Sequence, residues 1–397
     1  MPGRVVVVGA SMAGLRAAEA VRKNGWAGEL IVIGDEDAMP YNRPALSKDA
    51  LQQVPELAEI VFRVPRAATD VRWRLGRPVA HADLAARTVT VEDETIPWDG
   101  LVVATGLRPR RLAIPGPAAG RHVIRTHADA CRLRAALTPG ARVVIIGAGF
   151  IGCEVAASAR TLGCEVDVVA PESVPIERPL GPLLGAELRR RHESHGVRFH
   201  LGVVPSAFLG TFAVEGVELS DGTRLPADVV VEAVGCQPNV EWLDGNGLDL
   251  RDGVLCDDLM RVEGRPDVVA CGDIARFPNA LFDDVARRVE HWTMAGDTAK
   301  RAGAALAAQL TGAELPERGF APVPSFWSDQ YGFRIQSFGA VGLGGEDVRV
   351  LEGELGDEVV VGYHRDGQLV GVVLIGLAGR AAHYRGVIAA RAGVAVA

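Results

Sequence analysis

An internal repeat constrains this chain more than any other feature of its sequence. The segment at 4–14, RVVVVGASMAG, recurs in kind at 142–152 as RVVIIGAGFIG. Each copy begins with a β-branched run, passes through glycines and enters an alanine-rich helical stretch that stops at Gly25 or Gly163, and a second apolar run follows. The pattern predicts two βαβ units, and their duplication indicates two related nucleotide-binding domains.

The second copy has the full glycine fingerprint of a dinucleotide-binding loop. Gly147 permits a tight turn, Gly149 lets a pyrophosphate approach the backbone, and Gly152 lets the helix pack closely against the strand. The following helix would offer its N-terminal N–H groups and its positive dipole end to the phosphates. Its placement between a strand and a helix favours a dinucleotide site over a purely structural glycine loop.

The first copy differs at the middle position of the loop. Ser11 replaces the middle glycine, whereas the turn and packing glycines, Gly9 and Gly14, are kept. Asp35 and Glu36 follow the second apolar run of this unit, where a carboxylate can accept hydrogen bonds from ribose hydroxyls. We predict a second, slightly altered dinucleotide site, and the alternative for these two acids is an exposed turn.

The acid of the second copy is displaced along the chain. Ala170 directly follows the second apolar run of this unit, and the nearest acid is Glu172. No arginine stands at the strand end to hold a 2′-phosphate, since the nearest is Arg178. The pattern favours NADH over NADPH.

Charge and hydropathy narrow the range of partners. The 397 residues carry a formal charge of −8 and the basic residues are dispersed, so nucleic acid is not an expected partner. No apolar run approaches the length of a bilayer span, and the first apolar run is too short for a signal peptide. We expect a cytoplasmic enzyme of two or three domains that binds no membrane.

The cysteines argue against metal and dithiol chemistry. They form no C-x-x-C motif and no tight pair, so neither a zinc site nor a dithiol redox centre is expected, and we predict no bound metal. We predict instead that they are small buried core residues. They are Cys131, Cys153, Cys164, Cys236, Cys256 and Cys271.

The last part of the chain follows a different pattern. Proline-rich stretches at 108–117 and 315–324 are typical of linkers. Beyond the second stretch, strand-like pieces alternate with Gly and Asp turns and precede an alanine-rich helix, which predicts a small α+β third domain. The strand-like pieces lie at 334–338, 348–351, 358–363 and 369–374.

Further motifs occur in order along nearly the whole chain. They are PYNRPALSK at 40–48, ATG at 104–106, GCE at 152–154, GCQPN at 235–239, ACGD at 270–273, EHW at 290–292 and FWSDQ at 326–330. Together with the glycine loops they resemble the FAD-containing, NADH-dependent ferredoxin reductases of bacterial oxygenase systems. These belong to the pyridine nucleotide-disulfide oxidoreductase superfamily, which also contains disulfide reductases, NADH oxidases and the apoptosis-inducing flavoprotein of mammals.

The resemblance implies a fold and a domain plan. The fold class is α/β, with two Rossmann-like dinucleotide-binding domains arranged as in glutathione reductase and a small C-terminal α+β domain. The first glycine loop would bind the ADP half of FAD and the second would bind NAD. The FAD-binding domain would be discontinuous, at 1–112 and 245–317, with the NAD-binding domain at 113–244. A C-terminal dimerisation or reductase domain would follow at 318–397, in a monomer or homodimer.

The residue patterns and the resemblance together define a set of predicted cofactor-binding residues. Within it, Asp273 would form a hydrogen bond with the ribityl chain of FAD; the alternative is a turn aspartate. Arg43 and Pro44 would line the flavin. Without the resemblance, Arg43 would be interpreted as a surface cation. The full set is Gly9, Ser11, Gly14, Asp35, Glu36, Arg43, Pro44, Lys48, Ala104, Thr105, Gly106, Gly147, Gly149, Phe150, Ile151, Gly152, Glu154, Glu172, Gly235, Gly272, Asp273, Glu290, His291, Trp292 and Trp327.

Four of these residues are candidates for catalysis. Lys48 would place its ammonium beside the flavin ring, where it favours the negative charge that develops as the ring accepts a hydride. Glu154 matches the family acid near the nicotinamide, and we hypothesise that it pairs with Lys48; the alternative is an acid favoured by the helix dipole. Trp292 and Trp327 would stack beside the flavin and exclude water, or else be core or interface tryptophans. His291 has no expected catalytic role.

The resemblance also implies the reaction and the partner. NADH would deliver a hydride to FAD, and single electrons would then pass to an acidic iron–sulfur ferredoxin that feeds a haem-thiolate monooxygenase or another oxygenase. The segment 46–52 lacks the cysteine pair of the disulfide reductases and the lone cysteine of the NADH oxidases, which disfavours both branches. Two alternatives stay open: a reductase for another acceptor, such as rubredoxin or a nitrite reductase partner, and a redox-sensing flavoprotein.

A group of arginines is a candidate surface for steering an acidic ferredoxin. For any single member, ordinary solvated surface is the competing interpretation. The group is Arg63, Arg66, Arg72, Arg74, Arg77, Arg287 and Arg288.

Overall fold

The computed structural model describes residues 3–317 and 319–392, and three larger sheets organise them. The first sheet combines strands from the start of the chain with strands from beyond residue 260. In order across the sheet, the strands are Arg261–Val262, Arg265–Ala270, Gly100–Val103, Arg4–Val8, Glu29–Ile33 and Arg72–Arg74.

The first predicted βαβ unit is confirmed. Strand Arg4–Val8 runs parallel to strand Glu29–Ile33, and helix Met12–Lys23 connects them. Layers of structure cover both faces of the central strand, so its sequence is a continuous β-branched run rather than an alternating one. Helix Trp292–Thr311 packs against helix Met12–Lys23, with Gly303 allowing the close approach.

The second predicted βαβ unit is also confirmed. Strand Arg142–Ile146 runs parallel to strand Glu165–Ala170, and helix Phe150–Thr161 connects them. The five strands of this second sheet are, in order, Val197–Leu201, Glu165–Ala170, Arg142–Ile146, Val229–Glu232 and Arg121–His122. Helix Glu177–Ser194 precedes the edge strand and is interrupted at Gly181, whose φ is 74°.

The third sheet is antiparallel and confirms the α+β character predicted for the C-terminal part. Helix Ala381–Ala389 packs against it, in agreement with the alanine-rich pattern. Its strands, in order, are Ser325–Gln330, Phe333–Gly339, Gln368–Ile375, Val359–Arg365 and Asp347–Gly353. The four predicted strand-like pieces coincide with the last four of these.

The two proline-rich stretches differ in structure. The stretch at 108–117 begins within a strand, Leu107–Pro109, which pairs with Cys236–Pro238, so the expectation of a plain linker is wrong at its start. The described residues 315–317 and 319–324 include no helix or strand, as expected for a linker.

Smaller elements complete the fold. Helices Asp49–Gln52, Leu57–Ile60 and His127–Ala136 lie between the main strands. Small sheets are formed by Val79–Asp83, Thr88–Val91 and Glu94–Pro97, by Pro205–Leu209, Gly216–Leu219 and Arg224–Pro226, and by Val254–Leu255, Ala275–Asn279 and Asp283–Arg288.

The cysteine prediction holds for four of the six residues. Cys153, Cys164, Cys256 and Cys271 are buried. The prediction is wrong for Cys131, which is exposed on helix His127–Ala136, a helix that turns only part of its surface inwards. Cys236 is half-buried in a two-stranded pairing.

Across residues 3–317 and 319–392, every helix is too short or too polar to traverse a lipid bilayer.

Candidate functional site

A cavity of about 760 Å³ lies where the first sheet, the second glycine loop and the third sheet meet. A volume of this size suits a large organic ligand. Many of the predicted residues line it, although they come from distant parts of the chain. They are Ser11, Arg43, Pro44, Lys48, Ala104, Gly106, Phe150, Ile151, Glu154, Gly272, Asp273, Glu290, His291, Trp292 and Trp327.

The other predicted residues lie outside the cavity wall. The loop glycines set the backbone conformation of the two loops. The Thr105 hydroxyl donates to the Asn239 carbonyl at 2.8 Å, which links two segments that are distant in the chain. Of the two acids after the first unit, Asp35 is exposed whereas Glu36 is half-buried. The residues outside the wall are Gly9, Gly14, Asp35, Glu36, Thr105, Gly147, Gly149, Gly152, Glu172 and Gly235.

The two glycine loops share one backbone design. Gly9 and Gly147 have φ values of 119° and 106°, which L side chains rarely adopt, and a Cβ at either would overlap a carbonyl of the neighbouring strand end. A Cβ at Gly14 or Gly152 would overlap the carbonyl oxygen of the turn glycine in its own loop. The first and third glycines of each loop are therefore required by packing.

The middle position of the second loop has a different role. A Cβ at Gly149 would meet no described atom within 4 Å, so packing does not require a glycine there. Gly149 begins helix Phe150–Thr161 without a side-chain cap, and Ser11 begins helix Met12–Lys23 likewise. Among the described residues, no side chain caps either helix N-terminus, which is the arrangement that leaves N–H groups available to bind phosphate.

A hydrogen-bonded cluster around Arg43 lies beside the first loop. The Arg43 guanidinium pairs with the Glu36 carboxylate, and its Nε donates to Ser11 Oγ at 3.2 Å. The Tyr41 hydroxyl donates to Glu36 at 2.6 Å, and burial raises the pKa of Tyr41 to about 12. Arg43 is therefore held between the acid predicted to bind ribose and the first turn of the helix.

Asp273 follows strand Arg265–Ala270 and lines the same cavity. Burial raises the pKa of its carboxyl group, while the nearby Arg125 guanidinium, 3.9 Å away, acts in the opposite direction. The motifs did not predict Arg125. It stands directly before Thr126, which caps helix His127–Ala136, but no motif marks it as a residue of the cavity.

The hypothesised pair of Lys48 and Glu154 is confirmed. Lys48 Nζ lies 2.9 Å from Glu154 Oε1, and the two side chains are 11% and 2% exposed. Lys48 Nζ also donates to the Pro44 carbonyl at 3.1 Å. Glu154 accepts two hydroxyl bonds besides, from Ser47 Oγ at 2.5 Å and from Ser328 Oγ at 2.6 Å. The carboxylate is thus buried but fully bonded, as a buried charge requires.

Aromatic rings form another wall of the cavity. Phe326, which the motif predicts only as a neighbour of Trp327, packs edge to face on Phe150, with centroids 4.7 Å apart. His291 also packs on Phe326, at 4.9 Å. Its buried Nδ1 has no hydrogen-bond partner among the described residues, and burial lowers its pKa to about 4. Trp292, which lines the cavity, packs near Phe62, with ring centroids 6.1 Å apart.

Glu172, the acid of the second unit, faces a cation. It pairs with Arg178 Nε at 3.0 Å, and the side chains are 23% and 83% exposed respectively. The segment between them lies on the second loop, because Ile176 N donates to the Ala148 carbonyl at 2.8 Å. The nearest arginine in the sequence is therefore engaged with the acid itself.

The two nucleotide-binding βαβ units and the cavity between them are typical of an oxidoreductase that binds two dinucleotides, and comparison with known proteins agrees. The family model for the pyridine nucleotide-disulphide oxidoreductases matches residues 3–299, and a reductase C-terminal model matches 325–397. The chain belongs to the pyridine nucleotide-disulphide oxidoreductase family and is an oxidoreductase, and the family implies FAD and NAD(H) as cofactors.

Particular relatives refine this class. The ferredoxin–NAD(+) reductase component of the anthranilate 1,2-dioxygenase system of Burkholderia cepacia is 36% identical over 376 residues, 94% of this chain and 90% of the relative. Rhodocoxin reductase of Rhodococcus erythropolis is 35% identical, over 88% of this chain and 81% of the relative. A ferredoxin reductase structure from Rhodopseudomonas palustris has a TM-score of 0.88 at 32% identity, covering 97% of this chain and 94% of that one. The covalent putidaredoxin reductase–putidaredoxin complex has a TM-score of 0.90 at 30% identity, over 98% and 93%.

The residues present fit two dinucleotides. The free helix N-terminus at Ser11, with Arg43 and Arg125 beside it, suits the pyrophosphate of FAD. The unpartnered Nδ1 of His291 suits a polar ring that fills the cavity. The open space at Gly149 suits a second pyrophosphate.

Most of the arginines predicted to steer a partner are already paired. Those of the group that form ion pairs are Arg72 with Glu29, Arg74 with Glu94, Arg77 with Glu92, Arg287 with Asp283, and Arg288 with Asp252 and Glu290. Arg63 and Arg66 are exposed and form no ion pair with a described residue. The uncompensated charge of the group therefore lies at these two residues, with Arg63 next to Phe62.

Proposed function

We propose that the protein is an FAD-dependent NADH:ferredoxin oxidoreductase that supplies electrons to an oxygenase. The observation that carries this proposal is the buried Lys48–Glu154 pair, which lies on the wall of a cavity shared by both nucleotide loops. The names of the relatives support a ferredoxin as the acceptor. The domain plan of 1–112 with 245–317, 113–244 and 318–397 remains part of this proposal.

Lys48 supplies the charge in this proposal. The chemistry contributed by bound FAD is the conversion of a two-electron hydride donation into single-electron transfers. Lys48 directs a positive charge at the cavity and so favours negative charge that develops there. Glu154 holds Lys48 in place, while Trp292 and Trp327 line the cavity and would exclude water from a bound flavin.

Thiol chemistry does not fit the site. Cys271 is the one cysteine among the residues that line the cavity, and burial raises the pKa of its thiol to about 12. A thiol with so high a pKa is a poor nucleophile at neutral pH. The cavity is therefore suited to electron transfer rather than to disulfide reduction.

The preference for NADH over NADPH belongs to the same proposal. Glu172 would accept bonds from the ribose hydroxyls and repel a 2′-phosphate, and its pairing with Arg178 keeps that arginine occupied. Replacing Glu172 by Gln should reduce the ratio of kcat/KM for NADH to that for NADPH severalfold, because Arg178 is then free to bind the 2′-phosphate. An unchanged ratio would remove Glu172 from the explanation.

The first experiment is NADH-driven reduction of cytochrome c by the purified flavoprotein, with and without a panel of two-iron and three-iron ferredoxins, repeated with NADPH. Strong dependence on one ferredoxin is expected. Rapid bleaching of the flavin by NADH without ferredoxin-dependent turnover would refute the ferredoxin assignment while keeping the cofactors.

A further inference from the structure

The strand Ser325–Gln330 carries a second polar feature behind the cavity. Side chains alternate along a strand, so Ser328 and Gln330 share the face opposite to that of Trp327 and Asp329. Ser328 is 0% exposed and Gln330 is 2% exposed. Both point into the interior between the third sheet and the two helices of the second βαβ region.

These residues belong to a continuous hydrogen-bond chain. Ser328 Oγ lies 2.6 Å from Glu154 Oε1, and Gln330 Nε2 lies 3.0 Å from Ser328 Oγ. His192 Nε2 lies 2.8 Å from Gln330 Oε1, and the Tyr331 hydroxyl lies 3.2 Å from His192 Nδ1. The chain thus joins the carboxylate beside the cavity to a tyrosine in the hairpin turn of the third sheet.

The chemistry of each link sets the direction of the chain. The amide oxygen of Gln330 only accepts, so His192 Nε2 must donate to it, and Nδ1 then accepts from Tyr331. The amide nitrogen of Gln330 donates to Ser328, which leaves the serine proton for Glu154. Burial lowers the pKa of His192 to about 4, which keeps the imidazole neutral as this arrangement requires. Every donor in the chain therefore points towards Glu154.

Such a chain is costly to bury. His192 is 0% exposed, and apolar residues of similar shape would pack without the loss of hydration. Tyr331 also adopts a left-handed φ of 47°, which bulky residues rarely do, and from there its hydroxyl reaches His192. Efficient packing of the interior alone does not account for a buried histidine and a left-handed tyrosine at these positions.

The chain ends on the carboxylate oxygen that holds the lysine. Glu154 Oε1 receives both the Ser328 hydroxyl and Lys48 Nζ. A hydroxyl donated to this oxygen compensates part of its negative charge. Without it, Glu154 would hold Lys48 more strongly and cancel more of the positive potential that Lys48 directs at the cavity.

We propose that Ser328, Gln330 and His192 form a positioning relay that orients the Glu154 carboxylate and thereby sets the charge that Lys48 presents to the flavin. This deepens the proposed function and rests on it for the presence of a flavin at Lys48. The three residues are positioning residues, because they act on the cavity through Glu154.

The first test compares holoprotein variants without ferredoxin. Ser328→Ala should slow flavin reduction by NADH about tenfold, the effect of one charge-assisted hydrogen bond, and should lower the midpoint potential of the flavin. Gln330→Met and His192→Phe should act in the same direction with smaller effects, because they loosen the serine without removing it. Ser328→Thr should restore nearly normal values, since it keeps the hydroxyl.

The matched control is Ser337→Ala. Ser337 is equally buried on the neighbouring strand Phe333–Gly339, and its hydroxyl has no hydrogen-bond partner among the described residues. If Ser328→Ala behaves as this control does, or changes the KM for NADH while the midpoint potential stays the same, the relay is refuted. Effects confined to Ser328, with Gln330→Met and His192→Phe normal, would also refute it.

A second test examines the relay in the unsubstituted protein. Nitrogen-15 NMR of histidine-labelled holoprotein, with the His192 signals assigned by their absence from His192→Phe, should show a neutral imidazole protonated at Nε2 at neutral pH. Protonation at Nδ1 instead, or at both nitrogens, would overturn the direction of the chain. Neither test contains ferredoxin, so failure of the acceptor assignment would appear only in the cytochrome c assay.

Discussion

The two glycine loops have the same backbone and different surroundings. At the first loop, Ser11 accepts a hydrogen bond from Arg43 and shares the cavity wall with Asp273 and Arg125, so several segments of the protein surround it. At the second, Gly149 faces open space. We infer that the loop sequence makes a phosphate cradle, and that the residues around it determine whether a dinucleotide is retained or exchanged. We infer a resident FAD at the first loop and an exchangeable NADH at the second.

The acids that follow each loop show the same contrast. Glu36 is held by Arg43, whose side chain is 14% exposed, and by Tyr41, which is buried. Glu172 is held by Arg178, whose side chain is 83% exposed. An enclosed ion pair is preorganised for a ligand that stays, and an exposed one rearranges readily as a ligand enters and leaves.

The largest expected effect tests what the loops share. Gly152→Ala should destabilise the protein by about 3 kcal/mol or more, because the new Cβ would overlap the Gly147 carbonyl and backbone cannot yield as a side chain does. Gly14→Ala should act similarly in the first loop. The measurement is the free energy of unfolding in denaturant, with Gly149→Ala as the nearly neutral control. Equal losses at Gly149 and Gly152 would contradict the division of roles among the glycines.

The next effect tests the open side of the second loop. Gly149→Ala should raise the KM for NADH about tenfold or more, because its Cβ fills space that we assign to the pyrophosphate. The FAD content of the purified protein should not change. Ser11→Gly in the first loop is the control and should leave the KM for NADH unaltered. Loss of FAD from Gly149→Ala would reverse our assignment of the two loops.

A substitution beside the first loop should weaken the retention of FAD. Asp273→Ala should weaken FAD binding about tenfold, the cost of losing a hydrogen bond to a charged group, and should leave the KM for NADH unchanged once FAD is saturating. Fluorescence of released flavin measures the affinity. Asp347→Ala, which removes a surface acid paired with Arg349, is the control. A fully flavinated Asp273→Ala protein would show that the carboxylate does not hold the cofactor.

The smallest expected effect distinguishes the docking of ferredoxin from the binding of NADH. Arg63→Glu should raise the KM for ferredoxin about threefold at low ionic strength, because a rim charge mainly steers association, and should leave the KM for NADH unchanged. Arg349→Glu, on the far edge strand of the third sheet, is the matched charge reversal. If both substrates respond equally to Arg63→Glu, the residue does not belong to a docking surface.

Several parts of the fold could be predicted from local patterns. The two βαβ units and the C-terminal strands follow from β-branched runs, glycine turns and alanine-rich helices, all of which act over short stretches of chain. The Lys48–Glu154 pair was predicted from the resemblance, because both residues stand in recognisable motifs. Arg125 was missed, because no motif surrounds it and its place at the cavity depends on how helix His127–Ala136 packs.

The relay to Glu154 was also beyond prediction. Ser328 and Gln330 appear in a recognisable segment, but His192 lies more than a hundred residues away on a helix that the motifs do not mention. The pattern of the sequence could not show which buried histidine meets which glutamine. His192 meets Gln330 only because helix Glu177–Ser194 packs against the third sheet in the folded protein.

The sequence by itself therefore determined the two phosphate cradles, because a glycine loop between a strand and a helix is made by local backbone geometry. The tertiary structure alone decided which loop is enclosed, which acid pairs with a half-buried arginine, and which side chains support Glu154. The physical reason is that enclosure, charge pairing and burial arise from contacts between segments far apart in the chain.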